Sequence, residues 1–378
     1  MTLRCAAAVL TLLLGSLASA GSTPTESSDY AALPAHKAIA VSVGDPAIRG
    51  ITSGESSDAS ASVTALQKCT ALRRPDIGVC EIVRLNDADV TRASEIRAAV
   101  PRTPHPLFLW QFDAGASRVY LAGSIHVMKE SLLPLPVQFE NAFQRANRLA
   151  VEVNTNGLAP DVLQQKFRSF ALLPAGQSIG AVLRPSTLAS VTTHLQSQTM
   201  TLASVAAMKP VMLATQLAVA RLTALGYLPE FGLEQHFMAA AGNRPILELE
   251  TLDQQLEVLT SPPIAVQDEM LAETIDQMAT IEPIISAMIV AWMAGDDREF
   301  RRLFDLQTGS SAEVQAFMRR LLEDRNVGMA DKVEGFLTQP GTTFVLVGAA
   351  HLTGPEGIVA LLEARGLHGR RINSNDSI

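Results

Sequence analysis

From residue 134 onward, helical periodicity alternates with short apolar runs, and this alternation restricts the chain to a few architectures. LAVEVN at 149–154, PILELE at 245–250 and TTFVLVGAAH at 342–351 are strand-like, and the segments between them have apolar residues at helical spacing. LFLWQF at 107–112 and RVYLAGS at 118–124 precede them as two adjacent strands around a turn. The pattern predicts an α/β (or α+β) fold in which a central mixed sheet carries helical insertions.

The first twenty residues are typical of a cleavable secretory signal. Arg4 is followed by an apolar run and by the small residues ASA at 18–20, so the mature chain would begin near Gly21. Cys5 lies too early, and in the wrong context, to carry a lipid anchor. We therefore expect a periplasmic or secreted bacterial protein.

A small appended unit is predicted between this signal and the main pattern. Residues 21–35 are rich in Ser, Thr and Pro and are typical of a linker. Within residues 36–98, strand-like 37–43, helical 60–74 and strand-like 80–85 predict a β-α-β arrangement. The main domain is expected over 107–373.

Two cysteines remain after signal cleavage, Cys69 and Cys80. An oxidising compartment favours a disulfide between them, which would join the helix of the small unit to its second strand. Two buried thiols are the alternative, and a metal site made from this pair would lack further local ligands. A unit of this size needs such a link, or docking on the main body, to be stable.

The charge of the chain argues against two classes of partner. The net charge is −8, and signal cleavage would remove only one charged residue, Arg4. Nucleic acid and anionic membranes are therefore not expected partners. The most apolar later segment, 202–220, is interrupted by Lys209-Pro210, so we expect a core helix there and no transmembrane segment. The sequence leaves the oligomeric state open.

Two strand-like runs end in the same motif, Gly-x-x-His, as GSIH at 123–126 and GAAH at 348–351. In an open α/β sheet, ligands bind beyond the carboxyl ends of the strands, and glycine lets the backbone bend or another segment approach closely. We expect His126 and His351 to converge on one crevice, as metal ligands or as a pair of general bases. The alternative is that both rings only fill space in the core.

Glu152 is the predicted third member of this group. Its neighbours in LAVEVN are apolar, so its carboxylate would be costly to bury unless it is paired or metal-bound. The alternative is a structural salt bridge between Glu152 and an arginine.

Further polar residues lie near the predicted ends of other elements. Glu248 and Glu250 would share one face of a strand, with Glu250 at its end as the better candidate for the site. Arg325, followed by Asn326, precedes the last strand; it could bind an oxyanion or hold Glu152 in place, or it could lie solvated on a helix.

The remaining histidines are weaker candidates for site residues. His236 lies on an amphipathic helix, where a surface or packing role is favoured, and we assign no role to His36, His105, His194 and His368. The sequence has no Gly-x-Ser-x-Gly elbow, P-loop or complete dinucleotide fingerprint, which argues against the commonest serine hydrolases and nucleotide-dependent enzymes.

Five segments resemble the TraB/GumN family, which includes the Tiki metalloproteases. They are VYLAGSIHV, LPLPVQFENAFQRANRLAVEVN, GLEQHFMAAAGNRPILELETLDQQL, LLEDRNVGMADKVEGFL and TTFVLVGAAHLTGPEGIVALLEARG, and the resemblance covers about 107–373. It implies a fold related to the erythromycin esterase and ChaN-like proteins. Family members that cleave peptides depend on a divalent metal, so the resemblance also implies a divalent metal for this chain.

The resemblance also implies roles for particular residues. His126, Glu152 and His351 would form the active centre, and three further residues would support it or face the substrate: Glu250, Arg325 and Asn326. Glu234 stands where relatives are expected to carry Asp more often, which leaves the roles of Glu234 and His236 open. The unit at 36–98 lies outside the family core and resembles a small cysteine-bridged domain of exported bacterial proteins, for which we expect a docking or stabilising role.

These features together predict an exported metal-dependent hydrolase, with a peptide as the favoured substrate and a small molecule as the other option. His126 and His351 would bind a divalent zinc, manganese or cobalt ion, and Glu152 would be either a further ligand or the general base that takes a proton from water, with Arg325 assisting. One alternative is a metal-free, esterase-like hydrolase that uses a histidine and Glu152. The other is a protein that binds a peptide or a small ligand such as haem without turnover.

Overall fold

Two β-sheets organise the chain, and the first belongs to the N-terminal unit. The computed structural model describes residues 27–72, 78–306 and 311–378. The elements of the N-terminal unit are α1 (Ser27–Ala31), β1 (Ala38–Ser42), β2 (Arg49–Thr52), α2 (Asp58–Leu72), β3 (Cys80–Leu85), β4 (Ala88–Asp89) and α3 (Ala93–Ala99). The sheet is antiparallel in the order β2-β1-β3-β4, and α2 packs on it.

The second sheet is central and mixed. Its strands are β5 (Pro106–Ala114), β6 (Ser117–Ser124), β7 (Arg148–Val151), β8 (Ile246–Glu248), β9 (Gly341–Gly348) and β10 (Arg370–Asn373), in the order β10-β5-β6-β9-β7-β8. The pairs β6–β9, β9–β7 and β7–β8 are parallel, whereas β5 and β10 are antiparallel to their neighbours. The last long strand of the chain therefore lies between two strands that precede it by some 200 residues.

Twelve further helices follow the N-terminal unit in the described residues, and some of them form a hydrophobic cluster separate from the core of the central sheet. They are α4 (Val137–Gln144), α5 (Pro160–Ala171), α6 (Ile179–Val182), α7 (Pro185–Ser197), α8 (Pro210–Ala224), α9 (Leu233–Ala239), α10 (Leu252–Thr260), α11 (Ile264–Gln277), α12 (Ile281–Met293), α13 (Asp297–Asp305), α14 (Ala312–Leu337) and α15 (Ile358–Ala364). Short 3-10 turns lie at Glu130–Leu132, Leu202–Val205, Pro229–Phe231 and Ala349–Leu352.

Local sequence explains where several helices begin. α5, α7 and α8 each start with proline, whose fixed φ suits the first helical turn and whose missing N–H would have no partner there. α10 starts with a capping box, in which the Thr251 side chain accepts from the Gln254 N–H and the Gln254 side chain accepts from the Thr251 N–H.

The N-terminal unit shares a hydrophobic core with the central sheet. Ala40 and Ile82 belong to the same buried cluster as Phe108, Val345 and Trp292. Inside the unit, the Cys69–Cys80 disulfide joins α2 to β3 as predicted, with the two Cα atoms 6.2 Å apart. The prediction of a mixed sheet with helical insertions and a disulfide-linked N-terminal unit is confirmed.

Some boundaries differ from the predicted ones. β7 ends at Val151, so Glu152 lies just beyond the strand rather than within it. β2 was missed because its four residues, RGIT, are too short to show alternation. The predicted linker at 21–35 contains α1, whose carbonyl groups accept hydrogen bonds from the buried Lys37 ammonium.

By sequence, Gly295 and Gly309 are plausible breaks between the helices of about 266–336. Gly295 separates α12 from α13. Gly309 and the signal segment lie outside the described residues.

Among the described residues, no single helix is both long and apolar enough to cross a bilayer, and only α11 together with α12 would qualify, as a pair bent by 90°.

Candidate active site

The two Gly-x-x-His motifs lie at the same edge of the central sheet. β6 and β9 are parallel neighbours, and Ser124 at the end of β6 pairs with Gly348 at the end of β9. His126 and His351 follow these two ends by two and three residues respectively. This is the edge at which open α/β sheets bind ligands.

The His351 ring is held by Asn326 of α14. The Asn326 Nδ2 donates to the Glu356 carbonyl at 2.7 Å, so its Oδ1 faces the ring and accepts from the His351 Nδ1–H at 2.6 Å. With the proton on Nδ1, Nε2 carries the lone pair, and it lies 4.0 Å from Glu152 Oε1. The predicted Asn326 thus lies behind a predicted active-centre histidine and fixes its tautomer.

Burial makes His351 a neutral imidazole. Its side chain is 1 % exposed, and this desolvation lowers the pKa of His351 to about 3, while the nearby Glu152 carboxylate opposes the shift and the Arg325 guanidinium adds to it. A neutral ring can bind a metal or accept a proton.

His126 lies against a second acidic residue, Glu234 of α9. The His126 Nδ1 is 2.7 Å from Glu234 Oε1, and the Ser124 hydroxyl donates to the same oxygen. The His126 Nδ1 nevertheless makes no hydrogen bond with the described residues, so a buried ring nitrogen and a carboxylate oxygen face each other as two potential ligand atoms.

Gly348 leaves the space in which His126 and Glu152 meet. A Cβ added to Gly348 would lie 3.1 Å from His126 Nε2 and 3.3 Å from Glu152 Oε1. A side chain at this position would therefore press on both groups, and the imidazole or the carboxylate would have to move by a few tenths of an ångström.

Glu152 is fully buried and surrounded by donors. Its Oε1 accepts from the Gly348 N–H at 2.7 Å, and its Oε2 accepts from Gln255 Nε2 and from Arg325 Nη2, each at 3.3 Å. Donors of this kind compensate for the lost hydration of an ionised carboxylate.

Arg325 links Glu152 to Glu250. Its Nε donates to Glu250 Oε2 at 2.9 Å, its Nη2 contacts Glu250 Oε1 as well as Glu152, and its Nη1 donates to the Leu321 carbonyl at 2.8 Å. The Arg325 side chain is buried rather than solvated, and its contact with Glu152 is 3.3 Å long.

Three side chains at this edge could hold a metal ion. His126, Glu152 and Glu234 each offer a ligand atom, and these atoms all lie within 4.8 Å of one another. Nitrogen and carboxylate oxygen form the mixed donor set used for zinc and manganese, so the residues fit a divalent cation. The group differs from the predicted one, because it contains Glu234 in place of His351.

Glu234 and Gln255 were missed as site residues, and a sequence signal existed for Glu234. Glu234 shares its helical face with Phe237 and Met238, at spacings of three and four, so it is an acid on the apolar face of α9. His236 projects elsewhere and lies 2.6 Å from Glu140 through its Nε2, in the surface or packing role that the sequence favoured.

Glu248 and two histidines without an assigned role lie apart from this centre. Glu248 is exposed at the end of β8. His36 contacts Asp58 in the N-terminal unit, and His105 contacts the backbone of Thr103.

The fold and this edge together define a mixed α/β protein with a buried His/Glu cluster beyond the ends of its parallel strands. The sequence profile of the TraB/PrgY/gumN family matches residues 108–371, which is most of the chain. The protein therefore belongs to the TraB/PrgY/gumN family, and the matched region contains every residue of the cluster. No curated protein and no solved structure matches the chain.

Proposed function

We propose that this protein is an exported, metal-dependent hydrolase whose favoured substrate is a peptide. The observation that carries the proposal is the convergence of His126, Glu152 and Glu234 at the end of the parallel strands, where their ligand atoms lie within 4.8 Å of one another. The disulfide supports an oxidising compartment. The peptide substrate rests on the resemblance to metalloproteases alone.

The residues of the site would have two roles, which are to hold a cation and to accept a proton. His126, Glu152 and Glu234 would hold the cation, with His351 at the border of the site. A divalent cation at such a site polarises a carbonyl group and makes water more acidic.

A proton acceptor and its support are already in place. Glu152 would be the acceptor for the proton from water, because burial lowers the pKa of His351 to about 3 and makes that ring too weak a base at neutral pH. Asn326 keeps the His351 proton on Nδ1, so Nε2 carries the lone pair. Arg325 keeps Glu152 oriented through its bond to Oε2, while Glu250 and the Leu321 carbonyl bind the rest of the guanidinium. We propose Arg325, Asn326 and Glu250 as supporting residues on this basis.

A metal-free hydrolase is the second candidate, and one observation favours it. The His126 Nδ1 lies 2.7 Å from the Glu234 carboxylate, which is close enough for an acid to orient a histidine base, although this ring nitrogen makes no hydrogen bond in the described part of the structure. In that case, His126 Nε2 would take the proton from water beside Gly348.

Metal analysis of the purified protein tests the proposal. We expect close to one equivalent of a divalent ion, and titration of the metal-depleted protein should show saturable binding of zinc, manganese or cobalt. Glu152→Gln should reduce the affinity at least tenfold, because the amide is a weaker ligand than the carboxylate. His236→Ala is the matched control, since this histidine also faces a carboxylate but lies outside the site.

Cleavage of a mixed peptide library by the loaded protein then tests the reaction. Cleavage that chelation abolishes supports the metallohydrolase. Cleavage that survives thorough chelation supports the metal-free candidate. Saturable ligand binding without any product would instead favour a binding protein, and absence of metal binding by the folded wild type would refute the proposed cation site.

A further inference from the structure

The segment that follows His126 is paired with the segment that leads to Glu234. Leu233 N–H donates to the Ile125 carbonyl at 3.2 Å, and Met128 and Leu228 exchange two backbone hydrogen bonds of 3.2 and 2.9 Å. Between these rungs the chains are in contact, since a Cβ on Gly232 would lie 2.2 Å from the His126 carbonyl oxygen. His126 and Glu234 thus depend on one two-stranded loop pair for their mutual position.

A buried lysine forms the next rung. Lys129 is 1 % exposed, and its ammonium lies 4.9 Å from the centre of the Tyr227 ring, one residue before Leu228. The same ammonium donates to the carbonyl of Thr91, which belongs to the N-terminal unit. Lys129 therefore connects the loop pair with a unit that lies outside the family match.

The connection continues as a closed set of polar contacts. Thr91 N–H donates to Glu282 Oε1 at 3.1 Å, and Ser286 donates to the same oxygen at 3.0 Å. Ser286 also lies 2.8 Å from the Tyr227 hydroxyl. We call these five residues, Lys129, Thr91, Glu282, Ser286 and Tyr227, the Lys129 network.

A second polar contact lies beside the network. Glu81 of β3 accepts from the Ser131 hydroxyl and from the Ala93 N–H, each at 2.9 Å through Oε2. Burial lowers the pKa of Lys129 to about 8, and the nearby carboxylates of Glu81 and Glu282 oppose that shift. The ammonium is therefore mostly charged at neutral pH, which strengthens its bonds in a buried setting.

The N-terminal unit and the loop pair are not held together by close apolar packing at this place. A cavity of about 120 Å³ lies between the N-terminal unit and the loop pair, and its lining includes Ile82, Cys80, Lys129, Leu228 and Phe231. Because the two surfaces are not fully packed here, the polar contacts carry more of the alignment between them.

We infer that the N-terminal unit is a positioning element of the candidate site, and that it aligns His126 against Glu234 through Lys129. Lys129 does not reach the cluster itself and acts only through the paired loops. The inference rests on the proposed function for the importance of His126, but its test requires no activity.

The test compares two buried lysines, Lys129 at the boundary of the N-terminal unit and Lys37 inside that unit. Lys129→Met removes the ammonium and keeps the aliphatic length. Lys37→Met is the matched control, because Lys37 is 3 % exposed, donates to backbone carbonyls and lies 5.0 Å from the Tyr30 ring, yet it does not contact the loop pair. Both substitutions should lower stability, so stability alone does not decide the question.

The deciding measurement is the nuclear magnetic resonance signal of the His126 ring in the metal-depleted protein, assigned with His126→Gln. We expect a signal in Lys129→Met that is shifted or broadened relative to the wild type, because the ring samples several positions, and an unchanged signal in Lys37→Met. Metal affinity should fall at least tenfold in Lys129→Met only. Lys129→Arg should restore the wild-type signal, because it returns a cation to the same place.

An unchanged His126 signal in folded Lys129→Met would overturn the inference, even if metal binding and hydrolysis were both demonstrated. If Lys129→Met does not fold, Ser286→Ala provides the milder test, because it removes only the hydroxyl that joins Tyr227 to Glu282 within the Lys129 network. A His126 signal identical to the wild type in Ser286→Ala would then count against the inference, and a shifted signal would support it.

Discussion

At the scale of single residues, the His351 ring carries the clearest chemical consequence of burial. The ring is neutral in the folded protein, with its Nδ1–H given to Asn326 and its pKa lowered to about 3. In the unfolded chain the same ring would titrate near 6.5. The folded state therefore binds fewer protons at this position over the whole interval between these two values.

Acid should destabilise the metal-depleted protein through His351. Because the unfolded chain takes up the proton first, this contribution falls as the pH drops below about 6.5, by about 1.4 kcal/mol per pH unit, until the folded ring is protonated near 3. Urea unfolding of the wild type and His351→Gln at about pH 7, 6 and 5 measures the effect. The difference between the two proteins should shrink with this slope, and a difference independent of pH would contradict the assignment.

At the scale of secondary-structure elements, the end of β9 decides whether the cluster can form. Gly348 has a φ of −54°, which any residue adopts, so only space restricts the residue type there. Its N–H binds Glu152, and the room above its Cα admits His126 Nε2. The glycine of the second motif is thus required for close approach rather than for backbone freedom.

Gly348→Ala should leave the fold intact and weaken cation binding at least tenfold. The added methyl group would press on the imidazole and the carboxylate at 3.1 and 3.3 Å, and one of them has to move away. Gly328→Ala in the middle of α14 is the control, since a Cβ there meets open space. It should raise the free energy of unfolding by about 0.5–1 kcal/mol and leave metal affinity unchanged. Wild-type affinity in Gly348→Ala would contradict this account of the site.

Sequence patterns predicted some of these elements and site residues and missed others. The apolar runs predicted β6 and β9, and the Gly-x-x-His motifs at their ends led to one edge of one sheet. Glu152 was found because a carboxylate in an apolar strand-like run is conspicuous. The role of Glu234 was left open because its helix also displays His236. The spacing of Glu234 from Phe237 and Met238 placed it on the apolar face, but local periodicity does not show that this face packs against β9.

At the scale of the whole molecule, the N-terminal unit and the central sheet share one buried cluster. Ile82 of β3 lies 3.5 Å from the position that a Cβ on Gly226 would occupy, and α2 packs on α8. Units that bury apolar surface against each other in this way lose that contribution together when either one unfolds.

Thermal and urea unfolding should therefore give one transition, with far-ultraviolet circular dichroism and tryptophan fluorescence coinciding. Both tryptophans, Trp110 and Trp292, lie outside the N-terminal unit, so fluorescence reports on the central sheet. Two separate transitions would show that the N-terminal unit unfolds alone.

Removal of the disulfide tests the same coupling. The double substitution Cys69→Ala and Cys80→Ala opens a loop with a sequence separation of 11 and should lower the free energy of unfolding by about 2–3 kcal/mol. The variant should still unfold in one transition, and reductant should destabilise the wild type but not the variant. Equal stability of the two proteins would mean that the link does not restrain the unfolded chain.

The strand order means that the central sheet is completed late in the synthesis of the chain. β9 fills the gap between β6 and β7 and also delivers His351, yet it is made long after both neighbours. A nascent chain that has not reached residue 341 already contains His126, Glu152 and Glu234, but it lacks the strand that joins β6 to β7. We therefore expect a polypeptide that ends before β9 to lack a formed site, because neither the alignment of the two strand ends nor the Gly348 N–H that binds Glu152 is present.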